Sequence, residues 1–182
     1  EYLCLTESKH YTLFGILPFL HSPWYKKLYV FDFFAGSGTD LSDNPGSPLI
    51  LLDRAKGEQK KYCSKCTKGV WFVFNEVVGE KFEELKQNTD GFVERCRESN
   101  HCSECVYKYG VTNDDFRNIF KLNGVKEIFQ NKEYGKFVLL DQYGFSQIDE
   151  EVFSQLVSFP KTDFIFFISS SFISRFRVHP NT

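Results

Sequence analysis

Methionine is absent from the 182 residues, although phenylalanine occurs 21 times. That imbalance points to a fragment, or to Met positions missing from the chain as written, so spacings are read to within about one or two residues. Tryptophan occurs only twice, and Trp24 and Trp71 are read as packing residues. No apolar run approaches the roughly 20 residues of a membrane-spanning helix. The longest candidate, Leu13 to Leu20, is interrupted by Gly15 and Pro18. A basic-then-apolar leader pattern is missing at the N-terminus. No membrane partner is expected, and a cytoplasmic location is the default. Long basic runs are missing as well, and the formal net charge is -2. A firm grip on a phosphate backbone needs Lys and Arg. Nucleic acid is thus expected to be held only weakly by this chain alone, with a local basic face at Lys60, Lys61, Lys65 and Lys68. Internal repeats and low-complexity segments are not found.

What is present suits a single α/β domain over residues 1–182. The chain is 42% hydrophobic, which excludes a disordered segment and leaves room for one sizeable core. Strand-like apolar runs alternate with amphipathic helical ones, the pattern of βαβ units and a parallel sheet. Strands are expected at 28–33, 70–75, 106–109, 136–141 and 164–168. Helices are expected at 8–22, from Ser47-Pro48 onward, at 77–88, over most of 114–130 with a break at Asn123-Gly124, and from a cap at Asp149 to Leu156. Residues 1–27 form an N-terminal helical segment. Residues 54–69 and 91–105 read as charged, Cys-bearing inserts. Right-handed crossovers would give a doubly wound, mainly parallel sheet of five strands in the order 3-2-1-4-5, with helices on both faces. Ligands then bind at the carboxyl ends of the strands.

Four strand ends carry candidate chemistry. The first runs into Asp32-Phe-Phe-Ala-Gly-Ser-Gly38, whose glycines let a backbone approach a ligand closely. Leu41 stands where a dinucleotide fingerprint needs its third glycine, and no Lys-Ser/Thr follows for a phosphate-cradling loop. A tight turn is the plain alternative. The second strand ends in Asn75-Glu76; an acid there can accept from both hydroxyls of a ribose, or simply favour a helix start. After the third strand, Asn113 or Asp114 could bond an adenine amino group, or cap a helix. The fourth ends in Asp141-Gln-Tyr-Gly144. There Asp141 would orient an amine and Tyr143 would stack on a base, unless the segment is an ordinary turn at Gly144.

Cys63-Ser-Lys-Cys66 and Cys102-Ser-Glu-Cys105 are two Cys-x-x-Cys pairs. One precedes the second strand and the other precedes the third, so neighbouring parallel strands would bring them together opposite the cofactor edge. Four thiolates would make a closed, structural zinc site, with Cys96 or His101 as a substitute ligand. Separate buried or unligated cysteines are the alternative.

Taken together, Phe31-Asp-Phe-Phe-Ala-Gly-Ser-Gly38, Gly46-Ser-Pro-Leu-Ile50, Phe72-Val-Phe-Asn-Glu76, Asp141-Gln-Tyr-Gly144 and Thr162-Asp-Phe-Ile-Phe166 resemble the three-Cys-motif partner proteins. These in turn resemble bacterial S-adenosylmethionine-dependent methyltransferases with a Rossmann-like fold. The resemblance spans roughly residues 10–175. It implies that the loop Asp32, Phe34, Ala35, Gly36, Ser37 and Gly38, with Glu76, Asn113 and Asp114, holds S-adenosylmethionine. It places Asp141 and Tyr143 at the reactive end, acting on an amino group of a nucleic-acid base. In this chain Gln142 stands where the family usually reads Pro, and the sheet is expected to be incomplete at its C-terminal side. Both departures leave a second expectation standing: a weakened or inactive methyltransferase-like module that works with a partner protein, in a phage-defence or mobile-element setting.

Overall fold

A continuous apolar run in a strand requires cover on both faces of its sheet, and β1 (Lys27–Asp32) carries one from Leu28 to Phe31, with burial from Leu28 to Asp32. A computed structural model describes residues 24–62, 70–100, 107–119, 121–141 and 148–167. With β2 (Val70–Asn75), β3 (Tyr107–Thr112), β4 (Tyr134–Leu140) and β5 (Thr162–Phe166), β1 builds one sheet in the order β3-β2-β1-β4-β5. Every neighbouring pair is parallel. The expected order is therefore observed. Side chains alternate between two cores with the strand period of two. Leu28, Val30, Phe72, Phe74, Phe137 and Leu139 point to one core. Tyr29, Phe31, Val138 and Leu140 point to the other.

The helices divide accordingly. Helices α1 (Ser47–Tyr62) and α2 (Gly79–Asn100) cover the first core with Leu49 to Leu52, Leu85 and Val93. Helices α3 (Phe116–Ile119), α4 (Asn123–Gln130) and α5 (Glu150–Ser158) cover the second with Phe116, Ile119, Phe129 and Leu156. No helix among the described residues is long and apolar enough to cross a membrane.

Several boundaries differ from the sequence reading. The expected insert at 54–69 is helical as far as Tyr62, because its Lys, Glu and Gln are good helix formers. The expected insert at 91–105 is the second half of α2 up to Asn100. Leu85, Thr89, Val93 and Cys96 are all buried, and their spacing of four, four and three makes one continuous stripe. Thr89 hides this periodicity in the sequence, yet its hydroxyl donates to the Leu85 carbonyl at 2.8 Å and so tolerates burial. Strand β3 continues to Thr112 rather than ending at Tyr109, and β5 begins at Thr162. The break between α3 and α4 falls just before Asn123, and Asp149 caps α5 by accepting from Val152 N–H at 3.0 Å. The expected helix at 8–22 lies outside the described residues.

Lys136, in β4, is fully buried at the amino end of the sheet. Its ammonium donates to the carbonyls of Phe129 and Asn131, at 3.2 and 2.8 Å, closing the C-terminal end of α4. Burial, helped by the nearby Lys161 charge, pushes its pKa down from 10.5 to about 8. A depressed lysine pKa means that the unfolded chain holds the proton when the folded chain has released it. The cost of burial is thus complete below pH 8 and disappears as pH rises towards 10.5. Urea unfolding should show stability rising by about 2 kcal/mol between pH 7.5 and 10 from this group. The rise should vanish in Lys136→Met. The raised tyrosine pKa values of Tyr25 and Tyr29 act in the opposite direction, at the alkaline end of this window and beyond.

Candidate functional site

The carboxyl edge of the sheet gathers the sequence motifs. After Asp32 the chain turns through Phe33 to Gly38. Gly36 and Gly38 adopt φ of 63° and 85°, a left-handed conformation that costs other residues about 1–2 kcal/mol. Open space lies where a Gly36 side chain would begin, so the backbone there is accessible to a ligand. Gly46 returns against Gly38, its N–H donating to the Gly38 carbonyl at 2.8 Å. A methyl group on Gly46 would meet that oxygen at 2.9 Å, which explains glycine ahead of α1. Between them Asp40 accepts from the backbone N–H groups of Ser42 and Asn44, so the polar loop is tightly folded. Ser37 is held at both ends, its hydroxyl donating to Thr39 O and its carbonyl accepting from Asn88.

Glu76 joins the second strand end to this loop. One carboxylate oxygen accepts from Gly36 N–H at 3.0 Å, and the other from Val78 N–H at 2.8 Å. The helix-start role expected as one alternative is observed through Val78 N–H, and the second oxygen meets the glycine loop. Glu76, Phe33, Phe34, Asn75, Val77 and Phe116 line a recess of about 30 Å³. That is room for one water-sized group.

Asp32 is fully buried. It accepts from Phe34 N–H at 3.3 Å and from the Ser47 hydroxyl at 2.6 Å. The hydroxyl of Ser47, expected to cap α1, thus donates to Asp32 and brings a carboxylate to the helix start, where the dipole favours it. Asp32 acts as a strut beneath the loop. Ala35 is buried and donates its N–H to Asn75 O at 2.9 Å.

Asn113 donates its amide to the carbonyls of Glu76 and Val77, at 2.6 and 3.0 Å. Asp114 is held through its backbone by Asn75. Helix capping, considered for both, falls instead to Asp115, whose carboxylate accepts from Arg117 N–H at 2.8 Å. Asp141 follows β4 directly and is half-buried at the same edge. Tyr143, Cys63, Cys66, Cys102 and Cys105 lie outside the described residues, and Cys96 is buried in α2. Among the described residues no group of three or more His, Cys, Asp or Glu is placed to hold a metal.

Asn75, read in the sequence only as part of a strand end, is the centre of this edge. It is 1% exposed. Its amide donates to Phe33 O at 3.2 Å and to Asp114 O at 2.9 Å. Its oxygen accepts from the Thr112 hydroxyl at 2.9 Å and from Asp114 N–H at 3.1 Å. One side chain thus ties the ends of β1, β2 and β3. A buried polar residue ending an apolar strand is the signal that marks it. Comparison with protein-family models, with curated proteins and with solved structures finds no match to this chain.

Proposed function

We propose that this protein is an S-adenosylmethionine-dependent methyltransferase acting on an amino group of a nucleic-acid base. The observation that supports it best is the Glu76 carboxylate bonded to Gly36 N–H. It unites an acid after the second strand with a left-handed glycine loop after the first. A carboxylate has about four acceptor positions, and two are used here, which leaves capacity for ribose hydroxyls. The open space at Gly36 suits the methionine part of the cofactor. Phe34 and Val77 suit the faces of its adenine, with Asn113 and Asp114 at the border. When bound, the cofactor supplies an electrophilic methyl group. Asp141 would accept a hydrogen bond from the target amine and hold it in line, while Tyr143 stacks on the base. The amine nitrogen would take the methyl group as the sulfur–methyl bond breaks, leaving S-adenosylhomocysteine, and its proton would pass to water.

Calorimetric titration with S-adenosylhomocysteine tests the reading, with saturable binding at one site per chain as the expected result. No binding to the intact chain would remove it. Gln142, in place of the resembled family's Pro, favours a second reading: a methyltransferase-like module acting with a partner protein. Cofactor binding without methyl transfer to any DNA or RNA pool would select that reading. A structural zinc on Cys63, Cys66, Cys102 and Cys105 belongs to the same proposal. Elemental analysis should give about one zinc per chain, and reduced thiols with no metal would refute it.

A further inference from the structure

The amino edge of the sheet, about 17–20 Å from the glycine loop along six-residue strands, has its own chemistry. Exposed Lys26 and Lys27 begin β1, Lys108 lies at the start of β3, Lys132 precedes β4 and Lys161 precedes β5. Acidic residues beside them among the described residues include Glu133, paired with Lys26, and Asp163 near Tyr25. Among the described residues, five lysines border this edge in a chain of net charge -2.

Aromatic rings accompany these lysines. Trp71, Tyr29 and Tyr134 sit side by side on β2, β1 and β4, with centroids 6.2 and 5.5 Å apart. Lys108 lies over Trp71 at 4.9 Å and Lys27 over Tyr134 at 5.6 Å. Lys161 lies over Tyr25 at 5.3 Å, and Trp24 beside it is 79% exposed. From β3 to β5 the row spans about 19 Å.

We propose that this amino edge is a binding surface for single-stranded nucleic acid, separate from the carboxyl-edge site. Lysines spaced across adjacent strands neutralise successive phosphates, and the exposed Trp24 ring at the margin offers a face on which a base stacks. Charge complementarity selects a polyanion. The exposed indole of Trp24 selects one with planar aromatic groups, while the rings of Trp71, Tyr134 and Tyr25 hold the ammonium groups of Lys108, Lys27 and Lys161 in place. The surface needs no cofactor, so its failure and the failure of the methyltransferase reading are separate results.

Both tryptophans of the chain lie at this edge, which gives a direct optical readout. A fluorescein-labelled thymidine oligonucleotide of roughly 12 residues should bind the cofactor-free protein and quench tryptophan emission. Its log affinity should fall with log salt at a slope of about -2, for about three neutralised phosphates. The double variant Lys27→Glu/Lys108→Glu should weaken binding about tenfold or more and flatten that slope. Lys86→Glu, an equally exposed charge on α2, should leave it unchanged. Lys27→Gln/Lys108→Gln, which avoids charge reversal, should give an intermediate loss, with circular dichroism confirming that each variant folds. Absence of binding at low salt would overturn the proposal, and so would equal weakening by Lys86→Glu. Binding to anionic phospholipid vesicles without binding to the oligonucleotide would also overturn it and assign the surface to a membrane.

Discussion

Asn75→Ala is expected to lower the unfolding free energy by roughly 3–4 kcal/mol. The side chain is 1% exposed and makes four hydrogen bonds. Truncation strands two carbonyls, a hydroxyl and an N–H where water has little access, and the desolvation cost of such groups exceeds the net worth of the bonds themselves. For a domain of this size the melting temperature should drop on the order of 10 °C. Asn75→Asp is not a rescue. It keeps the acceptor for Thr112 and Asp114 N–H but turns a carboxylate oxygen towards the carbonyls of Phe33 and Asp114. Both variants should destabilise, and thermal unfolding followed by circular dichroism measures this. A loss under 1 kcal/mol in Asn75→Ala would show that the strand ends are held by other means.

Glu76→Ala should abolish most cofactor affinity while leaving the fold in place. Two hydrogen bonds from ribose hydroxyls to a carboxylate contribute about 1.5–3 kcal/mol each, so S-adenosylhomocysteine should bind about 100-fold or more weakly. The structural cost is smaller, about 1–2 kcal/mol, since Gly36 N–H and Val78 N–H lose a partner near the surface. Glu76→Gln is more informative than its size suggests. Each oxygen of Glu76 faces a backbone N–H, so one of those donors must oppose the new amide nitrogen. Glutamine should therefore behave nearly as badly as alanine in titration calorimetry. Undiminished binding in Glu76→Ala would remove the acid from the cofactor site and leave it as a support for α2.

Much of the fold was legible because it rests on local pattern. Leu28 to Phe31 and Phe137 to Leu140 are apolar at every position, and such runs with aromatic and β-branched residues suit a strand covered on both faces. Helical stretches between them favour parallel pairing through right-handed crossovers, and the expected 3-2-1-4-5 order is the one observed. Boundaries were legible less evenly. The Asn-Thr-Asp-Gly stretch at 88–91 resembles a turn, yet tertiary burial of Leu85 and Val93 carries α2 straight through it. The candidate site divides in the same way. Gly36, Gly38 and Glu76 were visible as strand-end residues, whereas the partner of each was not.

By itself, then, the sequence determined the layer order, the two-faced burial of the strands and the edge at which the glycine loop emerges. Each follows from periodicity within a dozen residues. Only the tertiary structure decided that Glu76 meets Gly36, that Asn75 ties Phe33 to Asp114, that Asp32 takes the hydroxyl of Ser47, and that lysines of β1, β3 and the segments before β4 and β5 share one edge. These contacts join residues 15 to 42 positions apart. Parallel strands bring such residues level only after their crossovers have packed, and polar groups carry no periodic signal of the partner they will meet.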